Sequence, residues 1–323
     1  MGSINFEKLD KLAKLSVSTG VALQKGQNLL ITAPSDALPL VRLIAKHAYK
    51  AGAGLVTPFF SDSEITLARY KYASDESFDV AADWLYRGMG DAFDNNTARM
   101  AIAGDDPMLL SDMDPERVAR ANKANSKAYK PARERITQFD INWNIIAWPG
   151  LSWAKRMFPD LAEGDAQTRL AEAIFMASRV NAEDPVASWK THNQRLKEKR
   201  EWLNQKDFKE IHFKGPGTDL KVGLADDHEW MGGASMAQNG VICNPNIPSE
   251  EVFTTPHALR VEGYVSSTKP LSHQGTLIDN IRVVFEKGSI IDAKASKGET
   301  VLKKVLESDE GCLLYTSPSP RDS

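Results

Sequence analysis

Two adjacent carboxylates, Glu250 and Glu251, lie between Pro248 and Pro256 in a short segment rich in β-branched and aromatic residues. Residues 252–255 are predicted to form a strand, with the prolines at its ends because proline has no N–H to donate to a ladder. Side chains alternate across a strand, so the two glutamates are expected on opposite faces. One carboxylate can then point into a cleft while its neighbour stays in solvent. A charged strand end without a chemical role is the alternative that this pattern leaves open.

Other groups capable of chemistry give weaker signals. The cluster Asp-Asp-His-Glu at residues 226–229 contains four potential metal ligands. Adjacent residues do not converge on one ion without a special loop, and no HExxH spacing is present, so a polar turn is predicted. His257 and His273 flank the central strand and are interpreted as surface or hydrogen-bonding histidines. Cys243 and Cys312 show neither a disulfide framework nor metal-type spacing.

Residues 244–256 (NPNIPSEEVFTTP), followed by RVEG at 260–263, resemble the signature of the thermophilic-type metalloaminopeptidases, the family of aminopeptidases T, S and II. Further matching runs are STKPL, FEKG, KGET and DEG, at residues 267–271, 285–288, 297–300 and 309–311. The resemblance extends from the N-terminus to Gly311. It implies that Glu251 is a metal ligand, because relatives retain the second glutamate and often replace the residue matching Glu250.

The resemblance also implies an activity, the release of N-terminal amino acids from peptides by metal-assisted hydrolysis. The family holds two divalent ions (zinc, cobalt or magnesium) with two glutamates, two histidines and an aspartate, beside a tyrosine, and its members are homodimers. Only the first glutamate has a counterpart here, at Glu251, and the other ligands are expected beyond Gly311. Useful metal affinity needs several convergent ligands, so this chain is expected to be an inactive fragment. A non-catalytic α/β binding protein with a genuine, divergent C-terminus is the alternative.

The last residues, 312–323 (CLLYTSPSPRDS), have no periodicity and interrupt a helical segment. They resemble a translated sequencing adapter and are interpreted as a non-native tail, with a flexible Ser/Pro-rich tail as the alternative. Strands near residues 281–285 and 290–293 would then lack partners and present unpaired edges.

The elements that position these residues are those of an α/β protein. Strands are predicted near residues 28–32, 55–60, 99–103 and 141–147, and helices alternate with them, one of them from Phe78 to about Phe93. Later in the chain, alternating runs on either side of a turn at residues 215–217 predict a hairpin. This order predicts a mostly parallel sheet with helices on both faces over residues 1–195, followed by an incomplete α+β catalytic domain over 196–311. Gly52 and Gly54 follow a helix rather than precede one, so they indicate a helix C-cap and not a phosphate-binding loop.

Composition argues against nucleic-acid and membrane partners. The 323 residues are 42% hydrophobic and 26% charged with a net charge of −3, which argues against a nucleic-acid partner. No apolar run approaches the roughly 18 residues that span a bilayer, so no membrane partner is expected. The charged N-terminus lacks the apolar core of a signal peptide, which predicts a cytoplasmic protein.

Overall fold

The computed structural model describes residues 4–273 and 276–306, and these form two compact units. The first comprises the chain up to Leu196 together with Gly233–Glu251, and the second comprises Lys197–Gly232 and the chain from Val252 onward. The motif residues 244–251 therefore belong to the N-terminal unit. The domain bounds predicted from the sequence, residues 1–195 and 196–311, stay a prediction.

The first unit is built on a four-stranded parallel sheet of order β2-β1-β3-β4. The strands are β1 (Leu29–Pro34), β2 (Val56–Ser61), β3 (Ala98–Ala103) and β4 (Trp143–Ala147). All four coincide with the predicted strands to within two residues, and the predicted parallel sheet is confirmed. Parallel strands need crossover connections, and the helices between them supply these.

Helices cover both faces of this sheet. The helices in the chain up to residue 206 are α1 (Phe6–Leu15), α2 (Leu38–Lys50), α3 (Ser63–Tyr72), α4 (Asp83–Asp94), α5 (Pro115–Thr137), α6 (Leu151–Met157), α7 (Glu163–Ala177) and α8 (Pro185–Lys206). Successive residues of β1 point to opposite faces, so Leu29 and Ile31 enter one apolar core while Leu30 enters the other. The first core contains side chains of α1, α2 and α7, and the second contains side chains of α4 and α5.

The second unit contains a five-stranded antiparallel sheet of order β15-β14-β11-β6-β5. The five strands of this sheet are β5 (Glu210–Gly215), β6 (Thr218–Leu224), β11 (Pro256–Ser266), β14 (Arg282–Glu286) and β15 (Ser289–Lys294). The shorter strands of this part of the chain are β7 (Met231–Gly232), β8 (Ser235–Met236), β9 (Ile242–Cys243), β10 (Val252–Phe253), β12 (Leu271–His273) and β13 (Thr276–Ile278). Helix α9 (Glu299–Leu306) follows, and its Leu302 packs with Ile278 and Ala293.

Two local expectations are corrected. The expectation of unpaired edges was wrong for the strand near residues 281–285, because β14 pairs with β11 on one side and β15 on the other. The helix predicted from Phe78 begins only at Asp83, because residues 75–79 form a separate 3₁₀ turn with Phe78 fully buried.

None of the helices in the described part of the chain combines the length and low charge that crossing a membrane requires.

Candidate functional site

The residues leading to the two glutamates lie along the outer edge of β4. The Ile145 N–H donates to the carbonyl of Pro245 at 2.7 Å, and the Ile247 N–H donates to the carbonyl of Ile145 at 3.0 Å. Ile145 and Asn246 thereby form a parallel bridge. We call residues 244–251 the motif segment. Its first half extends the parallel sheet of the N-terminal unit by one short strand-like stretch.

Buried amides hold the start of the motif segment. Asn144 on β4 is fully buried, and its Nδ2 donates to the carbonyl oxygen of Asn244 at 2.7 Å. The side chains of Asn244 and Asn193 exchange two hydrogen bonds of 2.9 and 2.8 Å. The Asn244 N–H donates to the carbonyl of Gly20 at 2.8 Å. These bonds restrict the backbone at Asn244, because moving it away would leave the buried Nδ2 donor of Asn144 unpaired.

Two basic side chains contact the end of the motif segment. The Arg179 Nη2 donates to Glu250 Oε1 at 2.6 Å and to His192 Nδ1 at 3.1 Å. The opposite ring nitrogen, His192 Nε2, donates to the carbonyl of Ser249 at 2.7 Å. We call Arg179 and His192 the basic pair. The basic pair holds both the backbone of Ser249 and the side chain of Glu250.

Glu251, the predicted metal ligand, is exposed and is the last residue of the N-terminal unit. The strand predicted at residues 252–255 is limited to β10, which pairs with β7. Both glutamates precede β10, so strand alternation does not decide where their side chains point. That the two carboxylates have opposite orientations stays a prediction. Pro256 opens β11 rather than ending a strand, a position where the missing N–H costs nothing.

The weaker candidates have other partners. Arg260 donates from Nη1 and Nη2 to the two oxygens of Asp226 at 2.9 and 3.1 Å, and this contact holds the pKa of Asp226 below its usual value. His228 Nδ1 contacts the carbonyl of Ala225 at 2.9 Å. His257 Nδ1 accepts from a nearby backbone N–H, and burial lowers the pKa of His273. These contacts agree with a turn and ordinary histidines.

A metal centre needs several convergent donors, and the described residues do not supply them. Within residues 4–273 and 276–306, no group of three or more His, Cys, Asp or Glu side chains is placed to hold an ion. Cys243 is buried, and burial raises the pKa of its thiol to about 11, which disfavours the thiolate form that binds metals. Glu251 therefore offers one donor, and the described residues alone do not fit a two-metal centre.

The N-terminal unit also has a cavity of about 270 Å³ between β2 and α4, away from the motif segment. Its lining is mostly apolar and includes Leu30, Phe59, Trp84 and Met89. None of the residues singled out from the sequence contributes to this lining.

Sequence reasoning missed the contacts that hold the motif segment. Asn144, Arg179, His192 and Asn193 were assigned no role, because they lie 51 to 100 positions from their partners in the chain. No local spacing signals such long-range contacts. One signal was available in the sequence, because the strand predicted at residues 141–147 is apolar except for two asparagines, Asn142 just before β4 and Asn144 on it.

The chain matches a family of known proteins over most of its length. The family model of the thermophilic metalloproteases, M29, matches residues 5–314. The chain is 49% identical over 303 residues to Aminopeptidase T of Thermus thermophilus, covering 94% of this chain and 74% of that protein. It is 40% identical over 305 residues to Aminopeptidase 2 of Geobacillus stearothermophilus, with coverage of 94% and 74%.

Similarity extends to a solved structure. Wild-type AmpT from Thermus thermophilus superimposes with a TM-score of 0.90 at 48% sequence identity, covering 94% of this chain and 75% of that chain. A more distant relative, Aminopeptidase PepS of Streptococcus thermophilus, is 34% identical over 321 residues. The chain thus spans about three quarters of the length of these relatives.

Proposed function

This chain belongs to the thermophilic metalloprotease family M29, and on that premise we propose that the protein is an aminopeptidase that releases N-terminal amino acids from peptides. The observation that carries the proposal is the family match over residues 5–314, together with relatives of 34 to 49% identity that are named aminopeptidases. These names favour a peptidase over a non-catalytic binding protein.

The proposed cofactor is a pair of divalent ions, zinc, cobalt or magnesium, with Glu251 as one ligand. Carboxylate oxygen is a suitable donor for each of these ions. When bound, the ions would supply the activated water and the polarised carbonyl that peptide hydrolysis requires. The role of this chain's own residues is to hold the Glu250–Glu251 pair in place. The bonds from Ile145, Asn144 and the basic pair support that role.

A complete centre would need donors besides those in the described residues. We propose that the 323-residue chain by itself binds metal weakly and shows little hydrolysis, because a single carboxylate gives little affinity. A homodimer is proposed for the protein at the length of its relatives.

The test compares two proteins in the same assay. One is the 323-residue chain, and the other, the extended protein, continues residue 311 into the remaining sequence of Aminopeptidase T from Thermus thermophilus. The expected result is metal-dependent release of the nitroanilide from an aminoacyl-nitroanilide by the extended protein. A folded extended protein that hydrolyses no such substrate with zinc, cobalt or magnesium would refute the proposed activity. Submicromolar zinc binding by the 323-residue chain in calorimetry would refute the proposed need for further donors.

A further inference from the structure

The turn that ends α7 places an arginine where glycine is usual. After the capping residue Ser178, Arg179 adopts a left-handed conformation with a φ of +59°. The Val180 N–H donates to the carbonyl of Phe175 at 2.8 Å, and the Arg179 N–H donates to the carbonyl of Met176 at 3.1 Å. This pair of bonds defines a Schellman turn, in which the left-handed residue is most often glycine. A side chain with a Cβ costs free energy there.

The side chain of Arg179 makes contacts that account for its presence. Its guanidinium lies 5.3 Å from the centre of the Trp189 ring, and Nη2 bonds Glu250 and His192. Trp189 is fully buried, and its Nε1 donates to the carbonyl of Ser178 at 2.8 Å, which ties the ring to the same turn. The guanidinium therefore has a fixed platform. Only 23% of the Arg179 side chain is exposed.

His192, on α8, contacts the same segment. Its Nδ1 accepts from Arg179 while its Nε2 donates to Ser249, so the ring is in the Nε2–H tautomer. The ring packs edge-on against Trp189 at 5.3 Å and is itself buried. The backbone at Ser249 and the carboxylate at Glu250 are thus both fixed to the α7–α8 region.

We propose that Arg179 is a positioning residue for the Glu250–Glu251 pair. It holds the first glutamate in an ion pair and, with His192, fixes the backbone that presents the second. The two adjacent carboxylates then have different roles, since Glu250 positions the segment and Glu251 is the donor of the proposed metal centre. The link to catalysis rests on the proposed function, whereas the positioning itself rests on the contacts alone.

The turn allows a substitution that separates positioning from stability. Arg179→Gly removes the side-chain contacts but provides the residue that a Schellman turn prefers, so these two effects oppose each other and little change in the melting temperature is expected. Amide hydrogen exchange at residues 249–251 is expected to accelerate by about tenfold, the effect of losing a charge-assisted hydrogen bond. Arg179→Lys should restore part of the protection because it keeps the charge.

A control makes the same backbone change elsewhere. Lys287 also has a positive φ, of +49°, and lies in the other unit. Lys287→Gly is expected to leave exchange at residues 249–251 unchanged. Local acceleration in Arg179→Gly alone supports the proposal. Unchanged exchange there, or acceleration spread over the whole chain with a lower melting temperature, overturns it.

A second measurement connects the contact to the reaction. In the extended protein, Arg179→Gly is expected to lower kcat about tenfold for an aminoacyl-nitroanilide with little change in KM, because a displaced reacting group impairs the transition state more than substrate binding. An unchanged kcat overturns the positioning role. An extended protein that is inactive before any substitution refutes the proposed function instead, and the hydrogen-exchange result still decides the role of Arg179.

Discussion

The buried amide of Asn144 offers a direct test of how the motif segment is held. Asn144→Asp replaces one NH₂ group by an oxygen and leaves the packing volume almost unchanged. In the native protein the Asn144 Nδ2 donates to the Asn244 carbonyl oxygen at 2.7 Å, and in the variant a carboxylate oxygen, which can only accept, faces that carbonyl. In addition, a charge enters a site where the native side chain is fully buried.

The magnitude follows from these two changes. Leaving the Asn244 carbonyl unpaired costs about 1–3 kcal/mol, and a buried unpaired carboxylate costs several more, so a loss of at least about 3 kcal/mol is expected at neutral pH. Typical domains are stable by about 5–15 kcal/mol, so this loss is easily measured. Burial favours the protonated form of the introduced carboxyl, whose O–H can donate to the carbonyl again. The loss of stability should therefore appear as the pH rises above about 4 and shrink below it.

Urea unfolding followed by tryptophan fluorescence, at pH 7 and at pH 4, measures the effect. Asn95 provides a matched control, because its Nδ2 also donates to a carbonyl, that of Asp91, at 2.8 Å, but on an exposed surface. Asn95→Asp should cost about 0.5 kcal/mol or less. Equal losses in the two variants would refute the conclusion that the Asn144 bond is a buried support of the motif segment.

Three further predictions concern other parts of the chain. Gly263→Ala should lower the free energy of unfolding by about 2 kcal/mol or more in urea unfolding, because φ is +110° and an added Cβ would overlap the Asp219 carbonyl oxygen. Gly240→Ala, where the added Cβ would meet open space, should cost less. Burial raises the pKa of Cys243 to about 11, so the native thiol should resist iodoacetamide at pH 8 and react once urea unfolds the chain. Peptide mapping of the labelled protein measures this, and rapid labelling of native Cys243 would contradict the prediction. Arg120 hydrogen-bonds Asp75 and Asp79 and lowers the pKa of both carboxyls, so Arg120→Met should lower the melting temperature at pH 7. This effect should shrink in acid, as the pH falls through the lowered pKa of the two native carboxyls, and an effect that does not change with pH would contradict this account.

The sequence alone predicted the four strands and the parallel sheet of the N-terminal unit. Strand β1 contains a continuous apolar run at residues 29–31, and strand–helix alternation leaves few arrangements other than a parallel sheet. Local patterns also identified the hairpin of β5 and β6 around Gly217. These features are encoded by neighbours in the chain, which is why periodicity and turn residues reveal them.

The support of the candidate site is encoded differently. The bridge of Ile145 to Asn246 and the bond of Arg179 to Glu250 join residues that are far apart in sequence and share no spacing rule. Strand alternation does not apply at the two glutamates, for a physical reason. The chain enters β10 only at Val252, so the residues before it follow the bonds of Ser249 and Glu250 to the basic pair rather than the period of a strand.

The central claim, that Glu251 is a metal ligand of an aminopeptidase, is tested most directly by comparing the two glutamates in the extended protein. Glu251→Ala should reduce metal-dependent release of N-terminal amino acids by more than about 100-fold, because losing even an outer-shell partner of a metal ligand costs about 10- to 100-fold. Glu250→Ala should reduce it by only about tenfold, because it removes a positioning contact. A larger loss in Glu250→Ala than in Glu251→Ala, or full activity in Glu251→Ala, would contradict the assignment.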